Sequence, residues 1–173
     1  MNLVVTCSRH LEEESTDEIA QILLNLGDKT PKIEISSFSG IILIDTHINP
    51  LTVVMEIKKI ILEEPWKIRY CHRFIPIVES TIATVENIVY SVKTQIKTIK
   101  DTDTYRITIE KRGSELSSKE LIDSVAKNIP NKVSLENFDW NVVIQIIGKI
   151  AGVSLLKEKD IVSTLKVKRD SIE

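Results

Sequence analysis

The chain has 173 residues, 42% of them hydrophobic, and a formal net charge of −2. That length and apolar content suffice for one good core or two small ones. The longest apolar runs, such as 142–147, are too short to cross a bilayer, and the N-terminus lacks the basic and apolar segments of a signal peptide. Two cysteines do not make a disulfide framework. We therefore expect a soluble, cytoplasmic protein and exclude the membrane-spanning and disulfide-rich classes.

The first half of the sequence predicts the order βαββαβ, a ferredoxin-like pattern. Ser15 and Glu18 have the spacing of a capping box, which predicts the start of the first helix. Asn49 followed by Pro50 predicts the start of the second helix, and the Glu-Pro pair at 64–65 predicts its end. The strands predicted around these helices span 3–6, 32–36, 40–45 and 67–70.

A second group of elements follows a connector at 75–80. Apolar residues recur every three or four positions over 82–100, which predicts an amphipathic helix. Ser117 and Glu120 form another capping-box spacing ahead of a helix that Pro130 ends. Two further strands are expected to pair around Gly148. The remaining predicted strands span 104–110 and 132–135. We therefore expect an α/β fold with two domains, at 1–79 and 80–173.

The stretch from Tyr105 to Leu156 carries a family resemblance. It is predicted to form a strand, a turn at Lys111 and Arg112, a helix that begins at Ser117, and then further strands. The tripeptide Asn-Phe-Asp at 137–139 lies ahead of an apolar strand. This order resembles the second half of a THUMP domain, an RNA-binding module found beside several tRNA-modifying enzymes. That family typically has Asn-Pro-Asp where this chain has Asn-Phe-Asp, so we expect the local turn to differ.

The whole chain resembles an N-terminal ferredoxin-like domain followed by a THUMP domain, with nothing after it. This architecture resembles that of the archaeal and eukaryotic THUMP adaptors for tRNA cytidine acetylation. The resemblance implies a non-catalytic subunit that binds tRNA and presents it to a separate RNA cytidine acetyltransferase or other tRNA-modifying enzyme. The five glycines are scattered and form no phosphate loop or dinucleotide motif, so we expect no cofactor.

Basic residues are the candidates for RNA contact. Residues 1–80 carry 8 Lys and Arg against 12 Asp and Glu, whereas residues 81–173 carry 15 against 13. The second half is therefore mildly basic, and an RNA site would be a local patch. Three lysines spaced i, i+4 and i+7 form a stripe on the predicted 82–100 helix. The alternative interpretation of this stripe is an ordinary solvated surface. The predicted RNA-binding residues are Arg69 and Arg73 near the expected domain junction, Lys93, Lys97 and Lys100 in the stripe, and Lys111 and Arg112 after a strand.

The sequence also offers residues for two other site chemistries. Cys7 and His10 have C-x-x-H spacing, and Cys71 with His72 could complete a zinc site if the outer strands met. Neighbouring residues on a strand point to opposite faces, so Cys71 and His72 are not expected to bind one metal. A Cys–His nucleophile pair has the same weakness. We therefore assign no metal ligand and no catalytic residue.

Trp66 and Trp140 could stack on bases, although packing at a core or its rim is the simpler interpretation of both. Three function classes remain open from the sequence. They are the tRNA-binding adaptor, a stand-alone RNA-modifying enzyme using Cys7, Cys71 or a carboxylate site, and a ferredoxin-like interaction module without RNA.

Overall fold

The structure, a computed structural model, describes residues 1–172. Its contacts divide the chain into two units, each with its own sheet and apolar core. The first unit consists of Met1–Ile77 together with the C-terminal segment that starts at Lys159, and the second of Val78–Glu158. The α/β fold class predicted from the sequence is confirmed. None of the helices within residues 1–172 combines the length and the apolar character needed to cross a bilayer.

The helices and strands follow one another as two successive α/β sets. In chain order they are β1 (Leu3–Cys7), α1 (Glu12–Asn25), β2 (Lys32–Ile35), β3 (Ile41–Asp45), α2 (Pro50–Glu63), β4 (Cys71–Pro76), β5 (Glu79–Ile82), α3 (Val85–Gln95), β6 (Tyr105–Arg112), α4 (Ser118–Ala126), β7 (Trp140–Ile147), β8 (Ile150–Leu156), β9 (Val162–Ser163) and α5 (Thr164–Asp170).

The first unit has the predicted βαββαβ order, from β1 to β4. Its antiparallel sheet has the strand order β2-β3-β1-β4-β9. Alternate strand residues such as Val5, Ile42 and Phe74 pack with the buried faces of α1 and α2 in one core. Burial of these β-branched and aromatic side chains stabilises the unit by the hydrophobic effect.

The capping box predicted at Ser15 and Glu18 is wrong. Helix α1 begins earlier, at Glu12, and Ser15 is buried inside it. The Glu18 carboxylate instead accepts backbone N–H groups from the start of β4 and the residues just before it, with Arg69 at 2.8 Å and Cys71 at 3.1 Å. A tertiary contact therefore uses the side chain that the local pattern had assigned to a cap. The start of α2 is as predicted, because the Asn49 side chain accepts from the backbone N–H of Leu51 at 2.9 Å.

The fourth strand lies farther along the chain than predicted. Residues 65–67 form a 3-10 turn, and β4 occupies Cys71–Pro76 instead of 67–70. The predicted connector at 75–80 is also wrong, because β4 and β5 take up most of it. Phe74 is fully buried opposite Val5 of β1. This packing determines the position of the strand, which β-propensity alone leaves ambiguous.

The C-terminal segment belongs to the first unit, although the sequence assigned all of 80–173 to the second domain. Strand β9 pairs with β4, with Val162 opposite Phe74. Val162 is buried in the first core, and the Thr164 hydroxyl donates to the backbone oxygen of Cys71 at 2.8 Å. Because the partners of this segment are about ninety residues away along the chain, no local pattern indicates its return.

The second unit has a four-stranded sheet of order β5-β8-β7-β6, in which only β6 and β7 are parallel. Helices α3 and α4 pack on one face, with Ile88 and Leu121 in the shared core. The turn at Gly148 is as predicted and has φ of +60°. The predicted helix over 82–100 is shorter, because Ile82 lies in β5 and α3 ends at Gln95. Instead of a strand at 132–135 there is a single bridge between Val133 and Tyr105.

Candidate nucleic-acid interface

One edge of the second sheet gathers basic residues and helix starts. Strands β6 and β7 are parallel, so both end there, at Arg112 and Ile147. The turn after β7 is held to this edge by a 2.8 Å bond from the Gly148 N–H to the Arg112 oxygen. The Ala83 N–H donates to the Lys149 oxygen at 2.9 Å, which brings the start of α3 to the same place. We call this the carboxyl edge, and its members are Lys111, Arg112, Lys149 and the first turns of α3 and α4.

Both helix starts at the carboxyl edge are capped by hydroxyl groups. The Thr84 hydroxyl accepts from the Asn87 N–H at 3.2 Å, and the Ser117 hydroxyl accepts from the Glu120 N–H at 3.3 Å. Each cap satisfies one donor and leaves the other N–H groups of the first turn without an intrahelical partner. Helix N-termini carry partial positive charge and bind anions such as phosphate. The first turns also contain acidic Glu86 and Glu120, which oppose that attraction.

Lys111 and Arg112 do not act from the same side of the sheet. Successive strand residues point to opposite faces, and Lys111 has the parity of the core-facing Ile107 and Ile109. The exposed Lys111 ammonium donates to the Leu116 backbone oxygen at 2.5 Å and so closes the loop that leads into α4.

Arg112 is held by two side chains of the opposite sheet face. Its Nη1 donates to the Oε1 of buried Gln145 at 3.5 Å, and its Nη2 lies 3.6 Å from a Glu110 carboxylate oxygen. The Arg112 side chain is 29% exposed. Part of its charge is therefore balanced by Glu110, while the exposed part remains available to a ligand at the edge.

The lysine stripe lies at the other end of the sheet. Helix α3 runs away from the carboxyl edge, and Lys93 is in its last turn, about 12 Å along the axis from Val85. Lys97 is in a 3-10 turn, and Lys100 follows it. We call these three exposed lysines the amino edge. The structure thus separates them from Lys111 and Arg112.

Trp140 lies near this amino edge and is engaged by protein side chains. Its indole N–H donates to Asp103 at 2.9 Å, and the Lys157 ammonium is 4.7 Å from the ring centroid. The hydrogen bond from Trp140 lowers the pKa of Asp103, and the charges of Lys100 and Lys157 lower it further. The ring packs against the second core, as the simpler interpretation of the sequence held.

The predicted arginines of the first unit have different environments. The exposed Arg69 precedes β4, and its Nε donates to the Trp66 backbone oxygen at 3.4 Å. Arg73 lies inside β4, paired with Thr6 of β1 and Ser163 of β9, and is partly buried. Trp66 is 62% exposed, so it is available to a ligand in a way that Trp140 is not.

The charge asymmetry of the sequence changes when it is counted by structural unit. Residues 78–158 contain 11 Lys and Arg and 11 Asp and Glu. The basic excess of the second half comes from Lys159 and α5, with Lys166, Lys168 and Arg169, which belong to the first unit. Any attraction of the second unit for an anion would therefore come from the local placement of its basic residues and not from its net charge.

The cysteines and histidines form no metal cluster within residues 1–172. Cys7 and Cys71 are paired across β1 and β4, and the buried Cys71 thiol points to the Ser15 backbone oxygen at 3.5 Å. His72 lies instead beside the Ser8 hydroxyl, at 3.3 Å. Burial raises the pKa of Cys7, and burial together with the charge of Glu18 raises that of Cys71 far above its usual value. A raised pKa disfavours the thiolate, which is the nucleophilic form of a cysteine.

Sequence reasoning missed Lys149 and Lys119. Lys149 follows Gly148 in the turn between β7 and β8, and Lys119 is in the first turn of α4; both are exposed. A lysine next to a turn glycine was a visible signal for Lys149, but its proximity to Lys111 and Arg112 depends on strand order. Lys157 was also missed, since its contact with Trp140 is tertiary.

Comparison with known proteins finds a family match within the second unit. Residues 82–156 match the model of the THUMP domain family, and this segment contains the carboxyl edge. This segment is therefore similar to a THUMP domain, as the sequence resemblance indicated. No curated protein matches the chain.

Solved structures share the fold over most of this chain. PH1313 from Pyrococcus horikoshii has a TM-score of 0.70 at 18% identity, covering 91% of this chain and 55% of that one. TrmN from Thermus thermophilus has 0.55 at 12% identity, covering 90% and 45%. A 4-thiouridine synthetase in complex with RNA and ATP has 0.54 at 12%, covering 94% and 42%. The chain spans about half the length of these proteins, and at such identities the likeness is one of fold.

Proposed function

We propose that this protein is a tRNA-binding adaptor that presents tRNA to a separate modifying enzyme, a cytidine acetyltransferase. The observation that carries the proposal is the carboxyl edge, which lies within the segment matched to the THUMP domain. The shared fold with a 4-thiouridine synthetase bound to RNA supports an RNA ligand. A role in tRNA modification also supports a cytoplasmic location.

The carboxyl edge is suited to phosphates. Lys111 and Lys149 supply exposed ammonium groups, Arg112 supplies a partly oriented guanidinium, and the helix starts supply backbone N–H donors. Such contacts position an RNA backbone without reading base edges. An A-form stem hides its bases in a deep groove, so shape, phosphates and single-stranded ends are what this edge would recognise.

The catalytic candidates Cys7 and Cys71, and the Glu18 carboxylate, lie in environments that favour structural roles. The raised pKa of Cys7 and of Cys71 leaves both thiols protonated near neutral pH. The Glu18 carboxylate is occupied by three backbone N–H groups. The alternative of a stand-alone enzyme based on these groups is therefore the weaker proposal.

The first test is direct tRNA binding. With about four to six phosphate contacts, the affinity should fall steeply as salt rises from 50 to 200 mM, by about 0.7–0.9 log units per contact per log unit of salt. Gel shifts or fluorescence anisotropy over several salt concentrations would measure this slope. Binding that is absent, or unchanged by salt, would refute the proposed tRNA interface.

The second test separates an adaptor from an enzyme. Purified protein incubated with tRNA and acetyl donor should leave cytidine unmodified by mass spectrometry, whereas adding an RNA cytidine acetyltransferase should give acetylcytidine. Omitting this protein from the complete mixture is the control. Acetylcytidine formed by this protein alone would refute the adaptor role, and stimulation of a different modifying enzyme would reassign the partner.

A further inference from the structure

A stripe of three apolar residues and one lysine runs along the solvent-exposed side of α2. Its members are Leu51, Met55, Lys58 and Leu62, spaced i, i+4, i+7 and i+11, so they fall within about 60° of one another on the helix surface. Leu51 is 40%, Met55 61% and Leu62 52% exposed. We call this set the α2 stripe.

The α2 stripe is additional to the face that holds α2 on its sheet. Val53, Val54, Ile57 and Ile61 already fill the first core, and the centre of this set lies about a third of a turn around the helix from the centre of the stripe. Helix α2 also packs against α5, yet Leu51, Met55 and Leu62 stay 40% or more exposed at positions where a helix is usually polar. Three large apolar side chains aligned on the solvent side therefore indicate a second contact surface.

A groove borders the α2 stripe. It has a volume of about 370 Å³, with Leu51, Val54 and Met55 among its apolar lining residues. Lys58 and Lys159 also line it, together with Asp160, which already makes an interaction of its own. The groove thus offers an apolar recess beside two ammonium groups.

We propose that the α2 stripe and its groove dock an acidic amphipathic helix of a partner protein. Apolar residues of such a helix would lie on Leu51, Met55 and Leu62 in the manner of a helix in a groove. Its flanking carboxylates would pair with Lys58 and Lys159. Methionine suits such a surface because its flexible side chain adapts to a partner.

A second copy of this chain fits the surface less well. In an antiparallel pair of α2 helices, Lys58 of each copy would lie opposite Met55 of the other. Two ammonium groups would then lose water without gaining a carboxylate, which is unfavourable. RNA supplies the negative charge but has no apolar face to cover the leucines and the methionine. An acidic helix satisfies both requirements.

The identity of the partner rests on the proposed function. If the protein is an adaptor, the modifying enzyme must contact it, and the α2 stripe lies outside the segment matched to the THUMP domain. Changes in the stripe therefore leave the carboxyl edge intact. The following experiments separate failure of the docking surface from failure of the adaptor role.

The first experiment uses two synthetic helical peptides of about 18 residues, roughly five turns, with one shared apolar face. One peptide carries glutamates and the other lysines beside that face. Fluorescence anisotropy with the full chain should show the acidic peptide binding at least about tenfold tighter, a difference of about 1.4 kcal/mol. Equal affinities, or no binding of the acidic peptide, would overturn the proposal.

Two double variants locate the binding surface. Met55→Glu/Lys58→Glu changes the α2 stripe, whereas Leu24→Glu/Lys59→Glu makes matched changes at an exposed apolar residue and an exposed lysine outside the stripe and its groove. The first should lose at least about tenfold in affinity for the acidic peptide, and the second less than threefold. Circular dichroism melts would show that both variants fold. Equal losses in the two variants would contradict the assignment.

The remaining outcomes test the other occupants. Displacement of the acidic peptide by tRNA would assign the surface to RNA. A wild-type dimer in sedimentation that Met55→Glu dissociates would assign it to a second copy. Either result overturns the proposal as stated.

The second experiment uses an RNA cytidine acetyltransferase and tRNA in parallel. Binding of the enzyme should be lost in Met55→Glu/Lys58→Glu, while tRNA binding stays unchanged. An enzyme that binds the wild type and both variants equally would overturn the docking site and leave the adaptor role standing. If the acidic peptide binds but the enzyme does not, the docking surface stands and the acetyltransferase proposal fails.

Discussion

In the first unit, buried or shielded carboxylates bind the backbone, whereas in the second unit exposed lysines extend from the ends of a sheet. Asp28 accepts from the Thr46 hydroxyl at 2.6 Å and from the His47 N–H at 2.9 Å, and Glu18 accepts from the start of β4 and the residues just before it. Lys93 and Lys149, by contrast, are exposed at opposite edges of the second sheet. These two carboxylates of the first unit therefore contribute to folding, and these two lysines of the second unit are available for a ligand.

This difference yields an expectation for substitutions. Changes at the structural positions of the first unit should alter the free energy of unfolding, and changes at the lysines of the second should alter RNA affinity with little effect on stability. The predictions below run from the largest expected effect to the smallest.

The largest effect is expected for Gly40→Ala. Gly40 has φ of +74°, and an added Cβ would lie 2.6 Å from the backbone oxygen of Cys7. The same turn is held by a 3.0 Å bond from the Cys7 N–H to the Gly40 oxygen, so neither backbone segment can move without losing it. We expect a loss of at least about 3 kcal/mol in the free energy of unfolding, measured by urea titration.

Gly27→Ala is the matched control for this steric argument. Gly27 also has positive φ, +105°, but no atom lies within 4 Å of an added Cβ. This variant should lose only the cost of backbone strain, about 1–2 kcal/mol. Equal losses in the two variants would show that strain, and not the contact with Cys7, limits position 40.

The next effect concerns Asp28 and pH. Burial raises the pKa of Asp28, but hydrogen bonds from Thr46, His47 and Thr30 outweigh it and lower the pKa to about 2. Because the folded pKa is below the unfolded value, the stabilisation is present above pH 4 and is lost as pH falls from about 4 to about 2. Asp28→Asn should cost about 2 kcal/mol at pH 7, since its amide would present a donor to groups that themselves donate.

The measurement for Asp28 is a urea titration of wild type and variant between pH 2 and pH 7. The difference between them should shrink towards pH 2. Asp17→Asn, at an exposed position of α1, is the control and should stay within about 0.5 kcal/mol of wild type. A loss that does not vary with pH would contradict the role given to the Asp28 charge.

The extent to which the sequence predicted this fold depends on the range of the contacts involved. Asn49 with Pro50 and the turn at Gly148 were predictable because each depends on neighbouring residues. The role of Glu18 was not, because its backbone partners are more than fifty residues away. The return of β9 to the first sheet was missed for the same reason.

The candidate site was predictable only in part. Lys111 and Arg112 could be named from their position after a strand, but their opposite faces and their contacts with Leu116, Gln145 and Glu110 follow from the assembled sheet. The separation of the amino edge from these two residues depends on the direction in which α3 packs on the sheet. All of these residues remain predictions as RNA contacts.

A smaller effect is expected for Lys111→Ala/Arg112→Ala. The double variant removes two cations from the carboxyl edge, so tRNA affinity at low salt should fall about ten- to thirtyfold, and the salt slope should flatten by about two units. The loss of the Arg112 contact to buried Gln145 should cost about 1 kcal/mol of stability. Gel shifts and a thermal melt would measure both.

Lys111→Arg/Arg112→Lys is the control for charge. It keeps both cations at the carboxyl edge and should retain most of the salt slope, although the guanidinium fork at 112 is lost. Unchanged tRNA affinity in a folded Lys111→Ala/Arg112→Ala variant would exclude these residues from the interface. Wild-type affinity in the charge-retaining variant, together with a loss of affinity in the alanine variant, would support a role for these two positions in the interface.

The smallest effect is expected for Lys93→Ala/Lys97→Ala/Lys100→Ala. These lysines lie at the C-terminal end of α3, where the partial charge of the helix is negative and opposes phosphate binding. Removing three cations near any RNA site weakens long-range attraction, so about a two- to threefold loss of affinity is expected. A matched triple variant in the first unit, Lys29→Ala/Lys32→Ala/Lys59→Ala, measures that general effect. If the amino-edge variant lost as much affinity as Lys111→Ala/Arg112→Ala and more than the first-unit control, the RNA site would have to be moved to the amino edge.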